Sequence, residues 1–209
     1  MKVEDAKVEY HQGDLPSGVS FGDSVAVDTE TMGLNLSRDR LCVAQLSAGD
    51  GVCHVVHFPT PDYDAPNLKA LFADPGVTKI FHFARFDVAA IHKYLGVVCA
   101  PVYCTKIAAK MVRTFTDKHG LKNLCQDLLG IELSKEQQSS DWGAPQLSEA
   151  QVRYAAADVL YLHRLRAILD PILKREGRFD LAHACFKFLP VRGELDLLGW
   201  DDDHDIFHH

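Results

Sequence analysis

An α/β fold carrying a mixed sheet is predicted by three features of this sequence: β-branched, apolar runs crowd residues 24–58, a strand-to-helix unit follows them, and amphipathic helical patterns fill most of the remainder. The runs are Ser24–Asp28, Leu41–Ala48 (LCVAQLSA) and Val52–Phe58 (VCHVVHF). Gly49-Asp50-Gly51 joins the last two, and so short a glycine-containing link between β-branched segments reads as a hairpin. A short helix is expected near Asn67–Ala73, a strand over Thr78–Phe83, and a helix over Arg85–Leu95 closed by Gly96. Tyr103–Phe115 and Leu121–Leu129 read as amphipathic helices, the second ended by Gly130 at the C′ position that glycine fills cheaply. A polar loop, Glu132–Gln146, carries Trp142. Ser148 and Gln151 form an S-x-x-Q capping box opening a long helix to about Ile168, with Pro171 marking a break or kink. Val152, Ala155, Ala156, Val159, Leu162 and Leu165 give that helix its apolar stripe.

The 209 residues, 47% of them apolar, are enough for a full core, and neither repeats nor low-complexity linkers divide them. One domain over 1–209 is expected, with a helical extension over about 171–209. The six cysteines include no CxxC pair and no zinc-like block, so they read as reduced, mostly buried thiols. The N-terminus lacks a basic stretch followed by an apolar one, and no run reaches the ~18 apolar residues of a membrane span. A soluble, cytoplasmic protein is expected. The net charge of −7 opposes a broad basic surface gripping long nucleic acid. The closing DDDHDIFHH reads as a solvated, frayed end rather than a metal-binding tract.

The stretch VAVDTET, Val25–Thr31, sets Asp28 and Glu30 two residues apart at the end of a strand. If the strand persists to Glu30, both face one side and repel, an arrangement a hard divalent cation relieves. A strand-ending Asp28 with a solvated Glu30 explains this stretch equally well. In FHFARFDVAAI a strand passes into a helix with Asp87 in its first turn, where the helix dipole alone accounts for an acid, and His82 reads by default as a core histidine. In YAAADV, Tyr154 and Asp158 share a helix face one turn apart, beside three alanines that let a neighbour come close. Each stretch has an ordinary structural explanation. Together they offer four acids and a tyrosine from three elements that can converge at one sheet edge and hold two divalent ions.

The ordered set D-x-E, F-D, Y-x-x-x-D resembles the three motifs of the DEDDy branch of 3′–5′ exonucleases, most closely the ribonuclease D family. The similarity runs from about residue 20 to about residue 170 and includes LSKEQQSSDWGAPQLSEAQVRYAAADVLYL. It implies a ribonuclease H-like fold with a mixed five-stranded sheet, three antiparallel strands and then two parallel ones, flanked by helices. It implies that Asp28, Glu30, Asp87 and Asp158 bind two divalent ions, Mg²⁺ or Mn²⁺, and that Tyr154 positions the attacking water. Leu34 stands at the family's apolar wedge, Thr31 and Met32 fall in the same substrate-contacting loop, and His82 stands where a histidine lies near the scissile nucleotide. No counterpart of the helicase-and-RNase-D C-terminal domains follows the third motif. This points to the short stand-alone group similar to nano-RNase C, with LLGW and DIF near the end also like that group. The expected activity is hydrolysis of short single-stranded RNA, dinucleotides favoured, from a free 3′ end to 5′-mononucleotides, by a homo-oligomer. Trimming of longer RNA or DNA ends, and a silent nucleic-acid-binding module, are the competing readings.

Overall fold

The computed structural model describes residues 5–134 and 136–207. Its sheet has six strands, in the order β1-β4-β3-β2-β5-β6. β2 (Ser24–Thr31), β3 (Leu41–Ser47) and β4 (Val52–His57) form the antiparallel part, and β5 (Thr78–Phe81) and β6 (Val102–Cys104) extend it in parallel from β2. The five expected strands are present. The sixth, β1 (Lys7–Gln12), adds itself parallel to β4 at the far edge. Its sequence, KVEYHQ, has little apolar signal because an edge strand is held by its backbone ladder and has few neighbours to bury against.

The central strands explain their composition. Every residue of β3 is buried, including Gln45 and Ser47, so its apolar run reads as continuous rather than alternating. The β3–β4 hairpin forms as expected; at its turn Gly49 adopts φ +79°, and a Cβ there would lie 2.9 Å from the His163 ring.

Helix α1 (Pro66–Ala73) starts with proline in its first turn, and α2 (Ala84–Leu95) ends on the left-handed Gly96. Tyr103 does not open a helix as expected: it sits in β6, fully packed beside Val102 and Cys104, and α3 runs only over Thr105–Val112. A β-branched and an aromatic residue beside an open strand edge favour pairing over helix. α4 (Leu121–Leu124) continues as a π-helical turn, Cys125–Leu129, up to the left-handed Gly130.

The single long helix expected after Ser148 is two: α5 (Glu149–Val159), with the capping box formed, and α6 (Leu162–Arg175). Pro171 lies inside α6 instead of breaking it. Both Pro171 and Ala167, whose carbonyl loses its partner, are exposed, so the freed carbonyl is left on the solvent side of the helix rather than in the core. α7 (Phe179–Leu197) packs on α2 through Gly193, where a Cβ would meet Val88 Cγ2 at 3.1 Å and the Ala89 backbone nitrogen at 3.2 Å.

The end of the chain is more tied down than its composition suggests. Arg85 donates to both oxygens of Asp196, at 2.7 and 2.6 Å, and to Asp202 at 2.6 Å, while Arg192 reaches the Trp200 carbonyl at 2.6 Å. Among the aspartates of the terminal stretch, Asp202 therefore serves as an ion-pair partner while its side chain stays exposed; His208 and His209 lie outside the described residues. Five of the six cysteines are buried and all six are free thiols. No helix among the described residues is long and apolar enough to cross a membrane.

Candidate active site

Because β2 persists to Thr31, Asp28 and Glu30 project from the same face of the sheet. α5 lies across β2, β3 and β4; its fully buried Ala155 and Ala156 let it sit close, and Asp158 in its last turn is brought over the two acids. One carboxylate oxygen from each of Asp28, Glu30 and Asp158 falls within 4.8 Å of the others.

Asp87 enters from α2. The chain turns from β5 into α2 with almost no connection, which forces Phe83 into the left-handed region at φ 68°, a conformation that costs a non-glycine residue ~1 kcal/mol or more. The reversal delivers Asp87, in the first helical turn, onto Thr29: Asp87 Oδ1 accepts from the Thr29 amide at 3.1 Å and from its hydroxyl at 2.7 Å. Asp28, in turn, accepts from Gln45 Nε2 at 3.4 Å; Gln45 is its cross-strand partner and is wholly buried, with its carbonyl oxygen lacking a partner.

Crowding sets the electrostatics. Burial, and then the charges of Asp87, Asp158 and Glu30, push the Asp28 carboxyl well above its ordinary range. Burial followed by the charges of Asp158 and Asp87 raises Glu30 to about 9. Burial raises Asp87 to about 7 against the opposing pull of the Thr29 bonds. Burial and Asp87 raise Asp158 to about 7, with the Tyr154 hydroxyl one turn away acting in the opposite sense. Tyr154 itself is driven above its usual value by burial and the surrounding carboxylates, so its phenol keeps its proton.

Among the described residues none of the four acids has an arginine or lysine partner, although ion pairs are plentiful elsewhere. The donors are all hard oxygens. This set fits Mg²⁺ or Mn²⁺, whose charge would offset what burial and mutual repulsion cost.

All nine residues expected at the site line one cleft of about 710 Å³. Leu34, 87% exposed, and Met32, 57% exposed, stand at its rim. Thr31 is buried and spends its hydroxyl on the Gly33 carbonyl, so it shapes the rim loop. His82 shares a hydrogen bond through Nδ1 with Thr105 Oγ1 at 2.9 Å, and burial followed by the Lys106 charge lowers it to about 3, leaving a neutral ring.

Sequence reasoning missed Thr29, Gln45 and Trp142 as parts of this site. A glutamine inside LCVAQLS was the available signal for Gln45, since a buried amide in an apolar strand requires a partner. Trp142 is 2% exposed, its ring 6.1 Å from that of Tyr154. It belongs to a wall tied down by Gln151 Nε2 on the Asp141 carbonyl at 3.0 Å and by Arg40 on the Gly143 carbonyl at 3.3 Å.

A carboxylate-lined cleft of this kind, on a ribonuclease H-like sheet, is the arrangement of a metal-dependent phosphodiester-cleaving enzyme. The chain belongs to the 3′–5′ exonuclease family, whose domain matches residues 10–174. It is 42% identical over 156 residues to ribonuclease D of Acidiphilium cryptum, covering 75% of this chain but 39% of that relative. The chain thus spans well under half the length of the curated ribonucleases D that it matches. Brucella melitensis NrnC is similar over the whole length: 54% identity, 97% of this chain and 98% of that one, TM-score 0.94. Structures of NrnC bound to pGG and with bound Mg²⁺ superpose with TM-scores of 0.94 and 0.92. Escherichia coli RNase D shares 27% identity with a TM-score of 0.73, covering 83% of this chain and 45% of that one.

Proposed function

We propose that this exonuclease is a single catalytic domain that hydrolyses very short single-stranded RNA, dinucleotides above all, from the 3′ end to 5′-mononucleotides in the cytoplasm. The observation that carries the reading is the convergence of Asp28, Glu30 and Asp158 within 4.8 Å, with Asp87 and Tyr154 in the same cleft. Short substrates are favoured because Lys122 is the only lysine or arginine among the described residues lining the cleft, too little to hold many phosphates. NrnC, 54% identical, is known bound to pGG.

Asp28, Glu30 and Asp158 would hold one divalent ion, and Asp28 with Asp87 a second. Bound there, the pair would supply an activated water and neutralise charge on the phosphorus and the departing 3′ oxygen. Thr29 and Gln45 fix the rotamers of Asp87 and Asp28, so the carboxylates need little reorganisation on loading. Tyr154, protonated and beside Asp158, orients the nucleophilic water by hydrogen bonding. Tyr154→Phe is accordingly expected to slow turnover by up to ~100-fold while metal affinity is unchanged. Wild-type turnover in that variant would remove the role. Leu34 and Met32 offer apolar surface to the terminal base without reading its edge, which implies weak sequence preference. Homo-oligomer formation belongs to the same reading, supported by exposed Leu181, Val191, Leu198 and Trp200 along and just after α7.

The deciding experiment supplies labelled RNAs and DNAs, from dinucleotides to twenty-nucleotide chains, with Mn²⁺ and resolves the products. Dinucleotide RNA is expected to turn over ~10-fold faster or more than the longest RNA, since each extra phosphate adds repulsion in an acidic cleft where Lys122 is the one lysine or arginine among the described lining residues. Equal or faster cleavage of the long chains would replace this reading with 3′-end trimming. Absence of any cleavage would leave a binding module.

A further inference from the structure

We propose that Glu9, His11 and His54 form a second, nitrogen-rich site for a divalent transition ion, Zn²⁺ in the first instance, which staples strand β1 to β4. Glu9 and His11 alternate along β1 and so share a face, and the register pairs Glu9 with His54 of the parallel neighbour. Strand geometry alone therefore puts three ligating side chains together. His11 Nε2 lies 3.1 Å from His54 Nδ1, and His54 Nδ1 lies 3.4 Å from Glu9 Oε2; one atom from each residue falls within 4.8 Å of the other two.

The separations fit an ion as well as they fit a contact among the side chains themselves. A His54 Nδ1–H shared between His11 Nε2 and Glu9 Oε2 accounts for both distances without a metal, so added ion is what distinguishes the two. Ligands on tetrahedral zinc, at ~2.0–2.1 Å from the ion, stand ~3.3 Å from one another, close to both distances. The rings are also restrained: His11 and His54 stack at 5.3 Å with 19° between planes, and the edge of Phe21 abuts His54 at 5.6 Å. Lys7 occupies the other oxygen of Glu9, Oε1, at 2.5 Å, but its side chain is 70% exposed and such surface pairs hold weakly. Two imidazoles and one carboxylate suit zinc and its neighbours, whereas the all-oxygen catalytic cleft, on strand β2, suits Mg²⁺ and Mn²⁺.

The full chain titrated with Co²⁺ should develop the visible bands of a four-coordinate ion, and Zn²⁺ should displace them. Zn²⁺ at a hundredfold excess over its dissociation constant should raise the melting midpoint by ~5 °C. His11→Ala and His54→Ala should lose both signals and Asp28→Asn should keep both. Glu9→Gln, which preserves shape at a partly exposed position, should weaken Zn²⁺ at least ~10-fold and covers the case in which a histidine variant fails to fold. Bands and midpoint shift persisting in His54→Ala, an undiminished Zn²⁺ affinity in Glu9→Gln, or loss of both signals in Asp28→Asn would overturn the site and assign the ion to the catalytic acids or to the histidines near the chain end. Neither outcome depends on nuclease activity.

Discussion

Asp28→Asn and Asp158→Asn are each expected to lose hydrolysis of a labelled dinucleotide by ~1,000-fold or more in Mn²⁺, and, in EDTA, to melt above the wild type. The two halves share one cause. Each substitution removes an ionisable carboxyl from a buried cluster whose members raise one another's proton affinity, so the metal-free fold is relieved of the cost of keeping it protonated while the ion loses a ligand. An amide of the same shape leaves the α5–β2 contact in place, and circular dichroism should be unchanged. Such opposition between stability and activity is the signature of a functional charge cluster rather than of a packing defect. Full activity in either variant, or a lowered metal-free midpoint in both, would reject the assignment of these carboxylates.

What the sequence made legible follows from which physics is local. Period-two alternation sufficed for Asp28 and Glu30 on one face, the one-turn spacing for Tyr154 over Asp158, and the Ser148–Gln151 box for the start of α5, because each is set by backbone geometry within a few residues. Tertiary pairing decided the rest. KVEYHQ becomes β1 through hydrogen bonds to β4, and Tyr103 becomes strand because β5 offers it an edge; neither partner is visible in the local pattern. The break between α5 and α6 falls at Leu160 and Tyr161, both buried, so the apolar stripe crosses it uninterrupted and the periodicity has nothing to register. The acids expected from the motifs come together in one cleft, but their supports, Thr29 and Gln45, act across strands and helices and needed the fold.

Without divalent ions the protein should lose ~10 °C of melting midpoint between pH 6.5 and pH 8.5. The alkaline limb comes from the cluster. A carboxyl whose folded value lies above its unfolded one binds more protons in the native state, so its stabilisation is complete below the unfolded value and is lost as the pH climbs to the folded one. For Asp87 and Asp158 that span runs from 3.8 to about 7, and for Glu30 from 4.5 to about 9. Taking Asp158 across its full span corresponds to ~4 kcal/mol, so even the fraction remaining above pH 6.5 is measurable. The acid limb has the opposite sign: His54, His57, His82 and His163 are all held below 6.5 mainly by burial, and the unfolded chain gains protons there that the folded one refuses. Between about 4 and 6.5 the two sets oppose, whereas above 6.5 the carboxyls act alone, because the buried thiols begin to matter only above their ordinary value of 9.0. Saturating Mg²⁺ or Mn²⁺ replaces the protons as counter-charge and should flatten the alkaline limb, as should Asp158→Asn in part. Melting curves in EDTA and in Mn²⁺ between pH 6.5 and 8.5 provide the check, and a metal-free midpoint that holds steady over that interval would mean the four carboxylates are not forced together as described.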